Sequence, residues 1–161
     1  MSIDTKHVAG RRSLAFKTID EALADVRRVA EADRAGRLRQ LGNWTAGQTF
    51  GHLATWIGFA FDGNPLKAPW IVRAIMKLRK AKYLKGLPAG VKIPGVPGGT
   101  LGTEVLATEE GLERVTRAFE RLKAEAPTRP NPIFGPMSHA EWIELHLRHA
   151  ELHLSFLDPG A

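Results

Sequence analysis

The sequence predicts an all-α protein, a four-helix bundle with a long crossover between its second and third core helices. Three observations predict it. Capping patterns mark the helix starts, apolar residues recur every three or four positions behind them, and no stretch alternates as a half-buried strand would. The capping box pairs Ser or Thr with Glu or Gln three residues later, so that each side chain satisfies an exposed backbone N–H of the first turn. It occurs at Thr18/Glu21, Thr45/Gln48 and Ser138/Glu141. A fourth start is expected at Thr108, where Glu109 and Glu110 favour the positive end of a helix.

The first core helix is expected from about Ile19 to Ala35, with Ile19, Leu23, Val26 and Ala30 on one face and Gly36 at the C-terminal cap position. The second is expected from about Ala46 to Phe61, with Leu53, Trp56, Ile57 and Ala60 in register and Gly63-Asn64-Pro65 ending it. A basic amphipathic helix follows from about Pro69, with proline at a permitted first position. Residues 86–103 are dominated by glycine and proline, which excludes both helix and central strand. The basic helix and this loop make up the crossover, and long ordered loops are often functional. The third core helix is expected from about Glu109 to Ala126, with Leu112, Val115, Phe119 and Leu122 on one side and Pro127, Pro130 and Pro132 beyond it. The fourth is expected from about His139 to Leu157.

With 161 residues, 43% hydrophobic and 25% charged, the composition is that of one globular domain, residues 1–161, able to bury a real core. Cysteine is absent, which excludes disulfides, thiol nucleophiles and thiolate metal sites, so any metal must use His, Asp or Glu. No window is apolar enough for a transmembrane helix. Arg11-Arg12 runs straight into an amphipathic pattern rather than an export segment, so a cytoplasmic location is expected.

The net charge of +6 has one source. Residues 64–85 hold Lys67, Arg73, Lys77, Arg79, Lys80, Lys82 and Lys85 and no acid, and the rest of the chain is nearly neutral. Three readings of this segment compete: a helix packed on its apolar side with solvated bases outside, an anion site for an acidic substrate or cofactor, or a membrane or nucleic-acid surface. The neutral remainder argues against nucleic acid as a partner.

Of six histidines, His146, His149 and His153 lie in the last helix. His149 and His153, four apart, stand one above the other on one face, a spacing that lets two imidazoles grip one metal ion. Trp142, Leu145, Leu152 and Phe156 follow helical spacing, so His149 is expected on or beside the core stripe, and His52 sits among Phe50, Leu53, Trp56 and Ile57 on the second helix. Bringing His52 opposite the pair would make a three-His site with one position left for water, and open three-ligand sites are the catalytic sort. Each histidine alone is as well read as a packed core residue. Trp56, Trp70 and Trp142 are candidate pocket walls, with core packing as the alternative.

Two blocks carry a family resemblance. One is Asn43-Trp44-Thr45-Ala46-Gly47-Gln48 followed by His52-Leu53-Ala54, and the other is Phe134-Gly135-Pro136-Met137-Ser138 with Glu141-Trp142, followed by His149 and His153. In this order they resemble the DinB-like (DinB/YfiT) superfamily of metal-dependent proteins, over about residues 12–157. The resemblance implies a four-helix bundle whose second and third core helices run parallel, and a divalent metal, zinc or nickel, held by His52, His149 and His153. His146 matches no ligand position and is expected to pack or line the pocket, while nothing is assigned to His7 or His139. Some members of the superfamily are thiol-dependent transferases or isomerases. With no Cys in the chain, a thiol would have to arrive as co-substrate, and an acidic one could be drawn by residues 67–85.

The reading that follows is a divalent-metal protein acting as a transferase or hydrolase. The alternative is a non-catalytic binding or stress-response module in which the histidines are structural. No general base is evident, since the orientation of Glu144 and Glu151 is open, and a homodimer is compatible with the sequence without being required by it.

Overall fold

The computed structural model describes residues 3–160; residues 1, 2 and 161 of the expected domain lie outside the described residues. Among the described residues the protein is all-α with five α-helices, α1 (Ile19–Arg34), α2 (Ala46–Asp62), α3 (Trp70–Tyr83), α4 (Thr108–Ala124) and α5 (His139–Leu154), and one three-residue 3-10 turn, Pro97–Gly99, within the glycine- and proline-rich segment where no helix is expected. Helices α1, α2, α4 and α5 share one apolar core. Leu23, Val26 and Val29 of α1 meet Phe50, Leu53 and Ile57 of α2, Phe119 and Leu122 of α4, and Leu147 and Leu154 of α5. Among the described residues no helix is long and apolar enough to cross a membrane.

The caps form at the expected threonines and serine, with one full reciprocal box. Ser138 Oγ accepts from the Glu141 N–H while the Glu141 carboxylate accepts from the Ser138 N–H. Thr18 and Thr45 accept from the N–H groups of Glu21 and Gln48. Their partners reach elsewhere: Glu21 accepts from the Lys17 N–H, and Gln48 donates to the Thr103 carbonyl at 3.0 Å, pinning the crossover to the start of α2. Thr108 does not cap. It is the first residue of α4, and its hydroxyl donates to Asp33 at the end of α1.

Several boundaries differ from expectation. Pro69 is the residue before α3 rather than its first. Helix α5 ends at Leu154, because the chain then turns into a two-residue strand. Strand β1 (Arg39–Gln40) pairs antiparallel with β2 (Leu157–Asp158), Gln40 opposite Leu157. A pairing this short carries no alternation to read.

The α2–α4 contact is the most extensive in the molecule. Its closeness rests on glycine. A Cβ at Gly47 would lie 2.2 Å from the Leu106 carbonyl oxygen, and one at Gly111 would lie 2.6 Å from the Gly47 carbonyl oxygen. Near the other end, Arg121 pairs with Asp62 at 3.3 Å.

Helix α3 stands apart. None of its residues is buried, and no helix packs extensively on it. The expectation of a helix packed by a buried apolar side therefore fails. What holds α3 is the turn 131–136 and the start of α5: Tyr83 meets Phe134 at 5.7 Å between ring centres, and Lys80 pairs with Glu141 at 2.6 Å. Asn131 shapes that turn by accepting the N–H groups of Ile133 and Phe134.

Candidate metal centre

His52, two turns into α2, is brought opposite His149 and His153 of α5. Each offers one ring nitrogen, and the three nitrogens lie within 4.8 Å of one another. His52 Nε2 is 3.1 Å from His149 Nε2. Ligands at zinc–nitrogen distance around a tetrahedral ion stand about 3.3 Å apart, so this pair is already near the spacing a metal imposes. The other three histidines stay outside the cluster. His7 is exposed, His139 Nε2 lies 2.6 Å from the Leu122 carbonyl, and His146 is buried one turn before His149, its ring stacked on Trp142.

The protonation of His52 follows from its other nitrogen. Nδ1 is 2.9 Å from the Leu101 carbonyl oxygen, which can only accept. Nδ1 therefore carries the proton, and Nε2 turns its lone pair toward the cluster. The same Leu101 carbonyl accepts from Trp56 Nε1 at 3.2 Å. This is the outer partner that metal-binding histidines usually have, and it comes from the glycine-rich crossover. Gly102 permits it: φ is +69°, and a Cβ there would meet Thr55 side-chain atoms at 2.9 Å. Gly102→Val is therefore expected to push Leu101 off His52 and to lower metal affinity by about 10–100-fold, readable by competition with a chelating dye. An unchanged affinity would show that the carbonyl contact does not matter.

Burial keeps the cluster uncharged. Loss of hydration lowers the pKa of His52 to about 4, against the opposing bonds to the Leu101 and Gly102 backbone. His149 and His153 are held well below the usual imidazole range, by burial first and then by repulsion among the rings. Neutral imidazoles are the form that binds metal.

Indole rings wall the cluster. Trp44 stacks on His153 at 5.1 Å and 14°, and Trp56 stands edge-on to His149 at 5.8 Å. A cavity of about 1190 Å³ opens beside the three rings. Trp56 and Trp142 line it, Trp142 also packing in the apolar core, whereas Trp70 lies outside it and is 76% exposed, neither wall nor core. Trp44 belongs to the wall although helical periodicity could not indicate it, since it precedes the cap of α2. Leu145, Leu152 and Phe156 also line the cavity, so the stripe carrying His149, expected to be the core stripe, faces the cavity instead, while Leu147, Ala150 and Leu154 face the core.

Asp4, Thr5, Asn43, Asn64, Tyr83 and Asn131 add polar groups to the lining. Both ring nitrogens of His146 and the indole N–H of Trp142 are buried without a hydrogen-bond partner, and both residues line the cavity. Burial lowers the His146 pKa to about 4, so it too is neutral. Lys6 and Lys92 are the cationic residues of the lining, and none of the seven bases of residues 67–85 belongs to it. Glu151 does not face the cavity: it accepts the Phe16 N–H and pairs with Arg148 at 3.0 Å. Glu144 pairs with the same arginine at 3.4 Å.

A family model described as "Protein of unknown function (DUF1569)" matches residues 8–160, nearly the whole chain. No curated protein and no solved structure matches it.

Proposed function

The chain belongs to the DUF1569 family, and from that premise we propose that it is a metal-dependent transferase or hydrolase with an open three-histidine centre. The observation that carries this reading is the convergence of three neutral imidazoles beside a large cavity, His52 already oriented by Leu101. His52, His149 and His153 would hold one divalent ion, zinc or nickel as the resemblance to the DinB-like superfamily implies, both of which imidazole nitrogen suits. The arrangement is consistent with the DinB-like superfamily. Contacts at both ends of the α2–α4 pair, Gly47 with Gly111 and Asp62 with Arg121, support helices running side by side in one direction within a four-helix bundle.

A bound metal would supply Lewis acidity, lowering the pKa of a water or thiol at its free position. The chain's own residues do the rest. Leu101 keeps the His52 lone pair aimed at the centre. Trp44 and Trp56 hold the rings in place and exclude water from one side. Lys6 and Lys92 of the lining would meet an anionic substituent. A low-molecular-weight acidic thiol fits this lining and supplies the sulfur nucleophile that a chain without cysteine lacks.

The cobalt-substituted protein tests the reading. Titration with glutathione is expected to produce a sulfur-to-cobalt charge-transfer band in the near ultraviolet, as the thiolate enters the free position. Failure to take up cobalt or zinc would end the metal reading. Uptake with no spectral change on adding thiols would end the thiol reading and leave a closed, structural ion.

A further inference from the structure

Among the described residues, helix α3 presents an apolar face that no other helix covers, with Trp70 beside a groove formed with Ile133, Gly135 and Pro136. At 100° per residue, Met76, Lys80 and Tyr83 fall on the side toward the protein and are half-buried. Trp70, Ile71, Ile75 and Leu78 fall on the opposite side, with exposures of 76%, 53%, 48% and 87%. Scattered exposed apolar residues are ordinary, but a continuous stripe rimmed by polar groups marks a contact surface. Here the rim has a single sign. Arg73 and Lys77 flank the stripe on one side, Arg79 on the other, and Lys82 and Lys85 close its C-terminal end. Of the seven bases in residues 64–85, Lys80 alone pairs with an acid among the described residues.

We propose that α3 is a membrane-surface helix, which lies in the headgroup region of an anionic bilayer with Trp70, Ile71, Ile75 and Leu78 inserted and its bases on the lipid phosphates. An apolar centre with a cationic rim is the pattern of interfacial helices, and an indole at one end suits the boundary between headgroups and acyl chains. The helix has 14 residues, a length of about 21 Å, too short to span a hydrocarbon core of about 30 Å. Charge complementarity selects the occupant. A second copy docked face to face would bring one unneutralised cationic rim against another, since a twofold contact apposes the same patch. Nucleic acid would need bases at the centre of the face, where the apolar residues are. This inference is independent of the metal centre.

Sedimentation with vesicles of phosphatidylcholine, alone or mixed with phosphatidylserine, tests it. The protein is expected to bind the mixed vesicles and not the neutral ones, and to be released by added salt. Reversing two rim charges, Lys77→Glu with Arg79→Glu, should weaken binding by about tenfold or more. Ile75→Glu with Leu78→Glu should abolish it. These side chains are exposed, so helical circular dichroism should stay unchanged in both variants. No binding to the mixed vesicles, or equal binding by the variants, would overturn the proposal. So would a dimer in sedimentation velocity that Leu78→Glu dissociates, or equally tight binding to polyglutamate.

Discussion

Gly47→Ala is expected to destabilise the protein by about 2 kcal/mol or more, although alanine is the better helix former. The propensity gain is about 1 kcal/mol. Against it stands a methyl group placed 2.2 Å from the Leu106 oxygen and within 2.8 Å of the Ala107 carbonyl. Those are backbone atoms, which cannot rotate aside, so the cost sits at or above the upper end of the usual overpacking range, about 3 kcal/mol. For a chain of this size the net loss lowers the melting temperature by roughly 4–8 °C, measurable by thermal circular dichroism. Gly58→Ala is the control. Its Cβ would meet only Asp62 Oδ2 at 4.0 Å, so the propensity gain of about 1 kcal/mol should appear as stabilisation. Equal effects at the two glycines would show that helix propensity, rather than the α2–α4 approach, sets the outcome.

The second large effect is at the ligands. His149→Ala should abolish stoichiometric zinc or nickel binding, with an affinity loss beyond the 10–100-fold or so that an outer partner carries. His149 turns toward the cavity rather than the core, so the helical signal should persist. Elemental mass spectrometry of untagged protein reads the result. About one metal per chain in the parent and none in the variant is the expected pair. Full retention by the variant would remove His149 from the ligand set.

The parts of this protein legible in the sequence are the local ones. A cap needs a hydroxyl next to its own first turn, so Thr18, Thr45 and Ser138 could be read directly. The pairing of His149 with His153 follows from helix geometry in the same way. Helix ends were less legible because distant residues decide them: α5 stops at Leu154 so that Leu157 can pair with Gln40. The apolar stripe of α5 that carries His149 reads as a core stripe and lines the cavity instead, since that helix lies between core and cavity and has an apolar side for each. His52 entered the site by resemblance, as nothing local ties it to residues almost a hundred positions away.

Other features have roles that helical periodicity does not assign. Trp44 lies outside any periodic stretch. The partner of His52 is a backbone carbonyl, which every residue possesses, and only the folded crossover makes Leu101 the one that matters. The amphipathic pattern of α3 announced an apolar side but not that its covering would be missing.

The crossover has a thermodynamic consequence. One segment supplies the carbonyl that aims His52 and, through residues 87–100, part of the cavity wall. With the proposed ion at His52, His149 and His153, a small molecule that settles against that wall and steadies the segment would tighten metal binding. Linkage then requires reciprocity: the ion strengthens the hold on that molecule by the same factor. Filling the cavity and retaining the ion become two views of one equilibrium, so a ligand for this chain can be sought by its power to slow metal loss to a chelator, before any reaction is known.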